Sequence, residues 1–296
     1  MFRGDIQGEL EESEQRKAMS QFAAEAFGTY FIVVIGCGSV CSAVLTGALQ
    51  GLWQVAVVWA FGVSLAIYAT GSISGAHLNP SVSFAFALLR PWDFPWSKMF
   101  LYWAAQIFGA VLGGATNYLI FKELIVEFER VNGIERGSSS SVMSAMIFGE
   151  YYPNPGLQYS VHDGELETGD RGWSYHTVST ATALGVEAWG TGILMFFILA
   201  LTDPHNKTLV TKDFAPFFIG FTVAVLIAVY APITQAGFNP ARDLGPRIVA
   251  YFAGWGEIAI PGPRGGFWIY VLGPLIGAPC GGALYDFLFA ASVRAS

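Results

Sequence analysis

Six long apolar stretches alternate with shorter polar segments along this chain. A helix needs about 20 apolar residues to cross the ~30 Å hydrocarbon core of a bilayer, and each stretch is long enough to do so. An even number of spans places both chain termini on the same side of the membrane. We predict spanning helices at residues 20–42, 53–70, 97–120, 179–202, 214–233 and 267–290.

Two further apolar stretches, 80–89 and 240–253, each begin with an Asn-Pro pair followed by a small residue. Asparagine is a preferred N-cap and proline fits the first helical turn, so each triplet predicts a helix start. Ten helical residues rise about 15 Å, which is half of the hydrocarbon core. We therefore predict two half-helices that begin near the middle of the membrane. The triplets are Asn79-Pro80-Ser81 and Asn239-Pro240-Ala241.

The composition excludes a soluble enzyme. Hydrophobic residues make up 53% of the chain and charged residues only 12%, with a mean hydropathy of +0.48; soluble proteins carry about 25% charged residues. Residues 1–17 are polar and lack an apolar core, so we expect no signal peptide. Cys37, Cys41 and Cys280 fall inside predicted spans, and we interpret them as small packing residues rather than as disulfide partners.

The distribution of lysine and arginine predicts the orientation, because cytoplasmic loops collect positive charge. The first loop, 46–52, contains neither residue, whereas the N-terminus, alternate loops and the C-terminal tail contain several. We expect both termini in the cytoplasm, most simply at the plasma membrane, and an acid-rich loop at 121–178 on the outside. The inner cations are Arg3, Arg16, Lys17, Arg90, Lys98, Lys207, Lys212 and Arg294.

A short motif occurs twice and divides the chain into two halves. From its glutamate to the following Asn-Pro pair there are 54 residues in the first half and 52 in the second. Each half holds three spans and one half-helix, so the second copy is inverted in the bilayer. The half-helices then enter from opposite faces and meet at their N-termini. The two copies are Glu25-Ala-Phe-Gly28-Thr29 and Glu187-Ala-Trp-Gly190-Thr191.

The predicted fold is an all-α membrane protein with six transmembrane helices and two half-helices in an inverted repeat. We expect one channel domain at 19–290 between a cytoplasmic tail, 1–18, and a C-terminal tail, 291–296. Within the domain, repeat 1 covers about 19–120, the outer loop about 121–178 and repeat 2 about 179–290.

The predicted meeting point has a defined chemistry. If each asparagine oxygen caps its own helix, the amide N–H groups are left as donors to a guest in the lumen. Two helix N-termini add positive potential, which opposes cations and protons. The non-helical approaches supply backbone carbonyls as acceptors, so the lumen suits neutral, hydrogen-bonding solutes. The approaches are Gly75-Ala76-His77 and Gln235-Ala236-Gly237.

These motifs, in this order, resemble those of the aquaporin or major intrinsic protein family, and especially its aquaglyceroporin branch. The resemblance covers residues 20–290 and implies a homotetramer with one pore per subunit. Besides the repeated motif and the two triplets, it rests on Ser74-Gly75-Ala76-His77-Leu78, Arg242-Asp243, Tyr152-Pro153-Asn154-Pro155 and Ala253-Gly254-Trp255-Gly256.

The resemblance also assigns the narrow selectivity filter of the family to four positions: Trp59, Ile227, Ala236 and Arg242. Water-selective relatives usually carry Phe, His and a small residue beside the arginine. Here an indole, an aliphatic side chain and a methyl group surround it, so we expect a wider and more apolar filter. Arg242 would donate to solute hydroxyls and repel cations.

Other features leave the permeant partly open. Asp243 and Arg247 resemble the glycerol-conducting branch. Ser81 departs from the usual alanine of the first triplet, and Ala236 stands where glycerol channels commonly have a second aromatic. The set Trp59, Ile227, Ala236 and Arg242 is more similar to that of nodulin-like intrinsic proteins of plants. Glycerol and water are the favoured permeants, with urea, ammonia and metalloid acids as alternatives.

Several residues have a structural interpretation beside a functional one. We expect the His77 side chain to pack behind the lumen rather than to act as a pH gate. Glu25 and Glu187 resemble supports that hydrogen-bond the pore loops, although buried acids also serve proton coupling in transporters. Asp243 is a third structural candidate, at a helix N-terminus.

Other classes of protein were compared with the channel. A proton-coupled secondary transporter would share the inverted repeat, and a junctional or adhesive membrane protein would account for the long outer loop. An enzyme is disfavoured, because no nucleophile, base and metal set gathers near the pore. We expect no cofactor, no metal and no nucleic-acid partner.

Overall fold

The structure is a computed structural model that describes residues 2–162, 165–168, 177–206 and 211–290. Six of its helices are long and apolar enough to cross a membrane. Lys207, Arg294 and the predicted tail 291–296 lie outside the described residues. In chain order the helices are α1 (Phe2–Thr46), α2 (Leu52–Ser74), α3 (Pro80–Leu89), α4 (Trp96–Val131), α5 (Val142–Ala145), α6 (Pro155–Gln158), α7 (Thr180–Thr202), α8 (Ala215–Thr234), α9 (Pro240–Ala250) and α10 (Ile269–Tyr285).

The predicted core of every span lies inside a helix, but helix ends differ from the prediction, most of all in α1 and α4. Helix α1 begins at Phe2 rather than at residue 20, and α4 continues to Val131 rather than ending at 120. Residues 121–131 contain no glycine or proline, and their Arg130 pairs with Glu127 three residues earlier. Such polar, helix-compatible sequence lets a helix continue beyond the bilayer, so the irregular part of the outer loop begins near residue 132.

The outer loop contains one element that the sequence analysis missed. Strand β1 (Tyr159–His162) pairs antiparallel with strand β2 (Glu165–Thr168) in a two-stranded hairpin. The strands are four residues each, too short for their alternating pattern to stand out beside the helical signals. The fold is otherwise helical, as predicted.

The two halves of the chain repeat one packing arrangement. Helix α1 packs on α2 and α4, and α7 packs on α8 and α10, while α2 and α8 join the halves. Glycines permit close crossings: a Cβ at Gly109 would overlap the backbone of Ala26, and one at Gly281 would overlap the backbone of Gly192. This repetition is the inverted repeat that the sequence predicted.

The half-helices are exchanged between the halves. Helix α3 packs mainly on α10, the last span of the second half, and α9 packs mainly on α4, the last span of the first half. The half-helix α9 ends at Ala250 rather than at 253, because a wider helical turn follows at Tyr251–Trp255 and Gly254 adopts a φ of 107°. The exchange interlocks the halves around their common centre.

Much of the outer surface of the bundle is apolar, as a lipid-facing surface requires. Large side chains such as Phe27, Leu65, Phe100 and Leu119 are exposed on the spans. The cysteines form no disulfide; Cys37 and Cys41 are buried as predicted, whereas Cys280 is exposed on α10 and packs less closely than expected.

Candidate functional site

Both half-helices begin at their asparagines, as predicted. The Asn79 side-chain oxygen accepts hydrogen bonds from the Ser81 N–H at 2.9 Å and the Ser81 hydroxyl at 2.7 Å. The Asn239 oxygen accepts from the N–H groups of Ala241 at 3.0 Å and Arg242 at 3.3 Å. The hydroxyl of Ser81 therefore supplies the second cap bond that a backbone N–H supplies in the other half-helix.

The two carboxamides also connect the half-helices to each other. The Asn79 nitrogen donates to the carbonyl oxygen of Phe238 at 2.9 Å, and the Asn239 nitrogen donates to that of Leu78 at 2.8 Å. The prediction that both amide N–H groups of each asparagine face the lumen is therefore wrong for one of the two. That N–H donates to a backbone carbonyl of the other pore loop. The other N–H of each has no protein partner among the described residues and remains for a guest.

Glu25 holds the first pore loop from behind. Its carboxylate accepts from the backbone N–H groups of His77 at 2.9 Å and Leu78 at 2.7 Å. It also accepts from the Ser74 hydroxyl at 2.6 Å and the Gln106 amide at 2.7 Å. With four donors and no solvent exposure, this carboxylate makes the contacts of a structural support.

Glu187 does the same for the second loop. It accepts from the backbone N–H groups of Gly237 at 3.0 Å and Phe238 at 2.8 Å, and from the Thr234 hydroxyl at 2.6 Å. The glycine of the repeated motif has a matching role, because a Cβ at Gly190 would overlap the Phe238 ring. The acid therefore binds the loop backbone while the glycine makes room for the side chain before the asparagine.

The loop backbone is held in an uncommon conformation. Ala76 and Leu78 in the first loop, and Ala236 and Phe238 in the second, have φ between 50° and 66°. Left-handed conformations are costly for residues with a Cβ and persist where the surroundings fix them. Here the two buried glutamates fix them, and the loops present successive backbone groups to the lumen.

Four of the five predicted carbonyl positions line this lumen, namely Gly75, Ala76, His77 and Gly237. Gln235 is not among the residues that line it. Its side chain turns away and accepts from the Tyr151 N–H of the outer loop at 2.8 Å.

The His77 side chain is packed as predicted. Its ring lies between those of Phe86 and Phe94, with centroid distances of 4.6 and 4.5 Å, and its Nδ1 is 3.1 Å from the Ser83 hydroxyl. These contacts engage the imidazole with other side chains of the protein, as is typical of a structural residue.

The four predicted filter residues come together at one end of the lumen. Trp59, Ile227, Ala236 and Arg242 all line it, although they come from α2, α8, the second pore loop and α9. The Arg242 guanidinium carbon lies 4.3 Å from the centroid of the Trp59 indole ring. Indole, methyl and aliphatic surfaces therefore surround a single cationic donor.

Arg242 has a partner that was not predicted from the sequence. Glu150 of the outer loop forms an ion pair with the Arg242 guanidinium, and only 3% of Glu150 is exposed. In the sequence it is one of many acids in the outer loop, 121–178. Its place directly before the Tyr-Tyr-Pro-Asn-Pro motif, 151–155, is the signal that could have identified it.

Asp243 connects the filter helix to the outer loop. One of its oxygens accepts from the Glu150 N–H at 2.7 Å, and the other accepts from Arg247 Nε at 2.8 Å. Arg247 in turn donates to the Ala259 carbonyl at 2.8 Å and to that of Glu150. Two acids and two arginines thus form a balanced buried network beside Trp59, in which Asp243 bonds both the outer loop and its own helix.

The lumen is a cavity of about 530 Å³ that reaches from the filter to Thr202 and Lys212 at the opposite side. The pore loops, both asparagines and Arg242 give it a line of donors and acceptors. The rest of its wall is apolar. Apolar lining residues are Ile32, Val63, Ile67, Leu194, Ile198, Ile219 and Val223.

This wall can accept a solute that carries hydroxyls along one side and C–H groups along the other. The described residues contain no group of His, Cys, Asp and Glu side chains that could hold a metal ion. The lumen wall is suited to selecting solutes by hydrogen bonding and shape.

Residues 12–285 match the sequence model of the family described as Major intrinsic protein. The chain belongs to the major intrinsic protein family. Family membership and the six apolar helices make it a multi-pass membrane protein, and the family resemblance found in the sequence is confirmed.

Similar family members include proteins named for small-solute uptake. The chain is 38% identical over 272 residues to the glycerol uptake facilitator protein of Pseudomonas aeruginosa, covering 91% of this chain and 88% of the relative. It is also 38% identical to the propanediol uptake facilitator PduF of Citrobacter freundii, with 91% of each chain covered. The Escherichia coli K12 glycerol uptake facilitator protein is 36% identical over 275 residues, covering 92% of this chain and 89% of that one.

A solved structure shares the fold. The X-ray structure of the aquaglyceroporin from Plasmodium falciparum superposes with a TM-score of 0.76 at 22% sequence identity, covering 94% of this chain and 100% of that one. At this identity the likeness establishes the architecture, namely six spans and two half-helices around one lumen.

Proposed function

We propose that this protein is a passive transmembrane channel for glycerol and similar small neutral polyols, with water as a second permeant. One observation carries the proposal: a single lumen joins a line of hydrogen-bonding groups to an apolar wall, and the Arg242 guanidinium lies 4.3 Å from the Trp59 ring centroid within it. The names of the glycerol and propanediol facilitators among its relatives support the same solute class.

The lumen wall compensates a polyol for the water that it loses on entry. Arg242 and the free N–H of each asparagine donate to solute oxygens, while the pore-loop carbonyls accept from solute hydroxyls. The carbon backbone meanwhile contacts Trp59 and the aliphatic wall. A solute without hydroxyl groups would leave the donors and acceptors of the wall without hydrogen bonds, and one without a carbon backbone would not contact the apolar wall.

Charged species meet several barriers in the same lumen. The guanidinium of Arg242 repels cations at the filter, and the N-termini of α3 and α9 add positive potential at the centre. Glu150 pairs with the guanidinium and weakens, without cancelling, its positive field, which disfavours a bound anion at the filter. We infer that ions and protons are excluded while uncharged guests pass.

The oligomeric state and the membrane location are inferred from the family. By analogy with the family, the protein forms a homotetramer with one lumen per subunit, in the plasma membrane, with both termini in the cytoplasm. It acts as a facilitator without a catalytic site or a cofactor. The mapped residues, Trp59, Ile227, Ala236 and Arg242, form its selectivity filter.

Stopped-flow light scattering on proteoliposomes tests the function directly. Water, glycerol, propane-1,2-diol, urea and ammonia are compared in one preparation, with empty liposomes as control. Glycerol and the diol are expected to cross fastest among the solutes other than water. A channel that passes only urea, ammonia or metalloid acids would contradict the glycerol assignment.

A second measurement separates a channel from a transporter. Glycerol uptake is followed with and without a pH gradient across the same liposomes. We expect equal final concentrations inside and outside in both cases. Accumulation driven by the gradient would reject the passive channel, and absence of any conductance would favour an adhesive role.

A further inference from the structure

Gly36 of α1 lies directly behind the filter tryptophan. A Cβ at this position would come within 3.0 Å of three carbons of the Trp59 indole: Cη2, Cζ3 and Cε2. These three atoms are spread around the six-membered ring, so the added carbon would sit over the ring face rather than at its edge. The indole therefore lies flat against the backbone of α1.

The ring is also confined elsewhere. Trp59 is only 4% exposed, and the surface it does expose lines the lumen. The Arg242 guanidinium carbon lies 4.3 Å from the ring centroid, and its ion pair with Glu150 holds it there. A group added at Gly36 cannot be absorbed by the α1 backbone, so the ring must move toward the guanidinium and the lumen.

The second pore loop contributes only a small side chain to the filter. Ala236 presents only a methyl group, where an aromatic would fill the space. The opening at the filter therefore depends on how far back the single indole lies. That distance is set by the residue behind it.

We propose that Gly36 is a specificity-determining residue: it lets Trp59 lie back against α1 and so sets the width of the filter. The inference rests on the proposed channel function and deepens it. With Gly36 and Ala236 together, the filter admits polyols of four carbons as well as three. A methyl group at residue 36 narrows the filter without removing any hydrogen-bonding group of the lumen.

The test compares Gly36→Ala with the wild type in proteoliposomes, using water, glycerol and the four-carbon polyol erythritol. Flux of erythritol and glycerol is expected to fall by about tenfold or more, while water flux changes by less than about threefold. Gly38→Ala on the same helix is the matched control. Its Cβ would meet only Asn117 Oδ1, at an ordinary 3.5 Å, so all fluxes are expected to stay unchanged.

A double-mutant cycle shows whether the effect passes through the indole. In a Trp59→Ala background, adding Gly36→Ala is expected to leave the ratio of glycerol to water flux unchanged, because the ring is gone. If Gly36→Ala lowers the ratio equally in both backgrounds, or lowers water and glycerol alike, the proposal is overturned.

A structure of the Gly36→Ala protein gives a readout independent of transport. The Trp59 ring is expected to move toward the lumen, and an unmoved ring overturns the proposal. Wild-type protein that conducts water but no polyol would refute the proposed function, while the ring position would still decide the role of Gly36.

Discussion

The carboxamide of Asn79 donates to the carbonyl oxygen of Phe238, the residue immediately before the second asparagine. Asn239 makes the reciprocal bond to Leu78. The tips of the two half-helices are thus hydrogen-bonded to each other as well as adjacent. The distance between the N-termini of α3 and α9 is therefore fixed by two buried hydrogen bonds of 2.9 and 2.8 Å.

Asn79→Asp is expected to open the channel to cations. The substitution replaces the donor with an oxygen that faces the Phe238 carbonyl, and it places an anion where two helix N-termini otherwise repel cations. Potassium flux into proteoliposomes should become measurable, and the thermal midpoint in detergent should fall. Asn239→Asp is the equivalent substitution in the second repeat. If both variants exclude cations and are as stable as the wild type, the proposed role of the two reciprocal hydrogen bonds is contradicted.

Ala236→Phe should reduce glycerol flux more than water flux. An aromatic ring fills space in the filter that the Ala236 methyl group leaves open, so the larger guest loses more. We expect a fall of about tenfold for glycerol, equivalent to ~1.4 kcal/mol in the barrier. Stopped-flow traces from one preparation give both rates, and equal losses would remove Ala236 from the filter.

Glu150→Gln should destabilise the protein and loosen the filter arginine. Breaking a buried ion pair by removing one charge typically costs about 3 kcal/mol or more, because the other charge is left uncompensated. The thermal midpoint should fall, and discrimination between glycerol and urea should weaken as Arg242 loses its anchor. The matched control is Glu127→Gln, which removes an exposed ion pair with Arg130 on α4 and is expected to change neither property. An unchanged Glu150→Gln protein would show that Arg242 needs no partner.

Gly190→Ala is expected to displace the second pore loop. The new methyl group overlaps the Phe238 ring, so the loop and its left-handed backbone must shift, at a cost of about 2 kcal/mol. Glycerol flux and thermal midpoint should both fall. Gly185→Ala on the same helix meets nothing within 4 Å and should be neutral or slightly stabilising. Equal behaviour of the two variants would refute the packing role of the motif glycine.

The sequence was sufficient for the features that local chemistry determines. Hydropathy located the cores of the spans, and the Asn-Pro pairs located the starts of α3 and α9 to the residue. The ends of α1 and α4 could not be found in this way, because a helix that leaves the bilayer continues in polar sequence without a hydrophobic signal. The hairpin in the outer loop was missed since four-residue strands give too weak a pattern.

Contacts between residues that are distant in the sequence were the ones that could not be predicted. Glu150 is 92 residues from Arg242 in the chain, and no local pattern reveals that a loop acid returns to the filter. The side-chain orientation of Gln235 and the bond from Asn79 to Phe238 likewise depend on how the two halves meet. The contacts of Glu25 and Glu187 with the pore loops were expected from the family resemblance and not from a local pattern.

The exchange of half-helices between the two halves has a consequence for biogenesis. When the ribosome has finished the first half, α3 exists without the helix on which it mainly packs, since α10 is among the last segments to be synthesised. The lumen can close only after α10 has entered the bilayer. Nascent chains arrested before that point should hold a short re-entrant segment open to proteases, so a sealed and selective pore is the final product of membrane insertion.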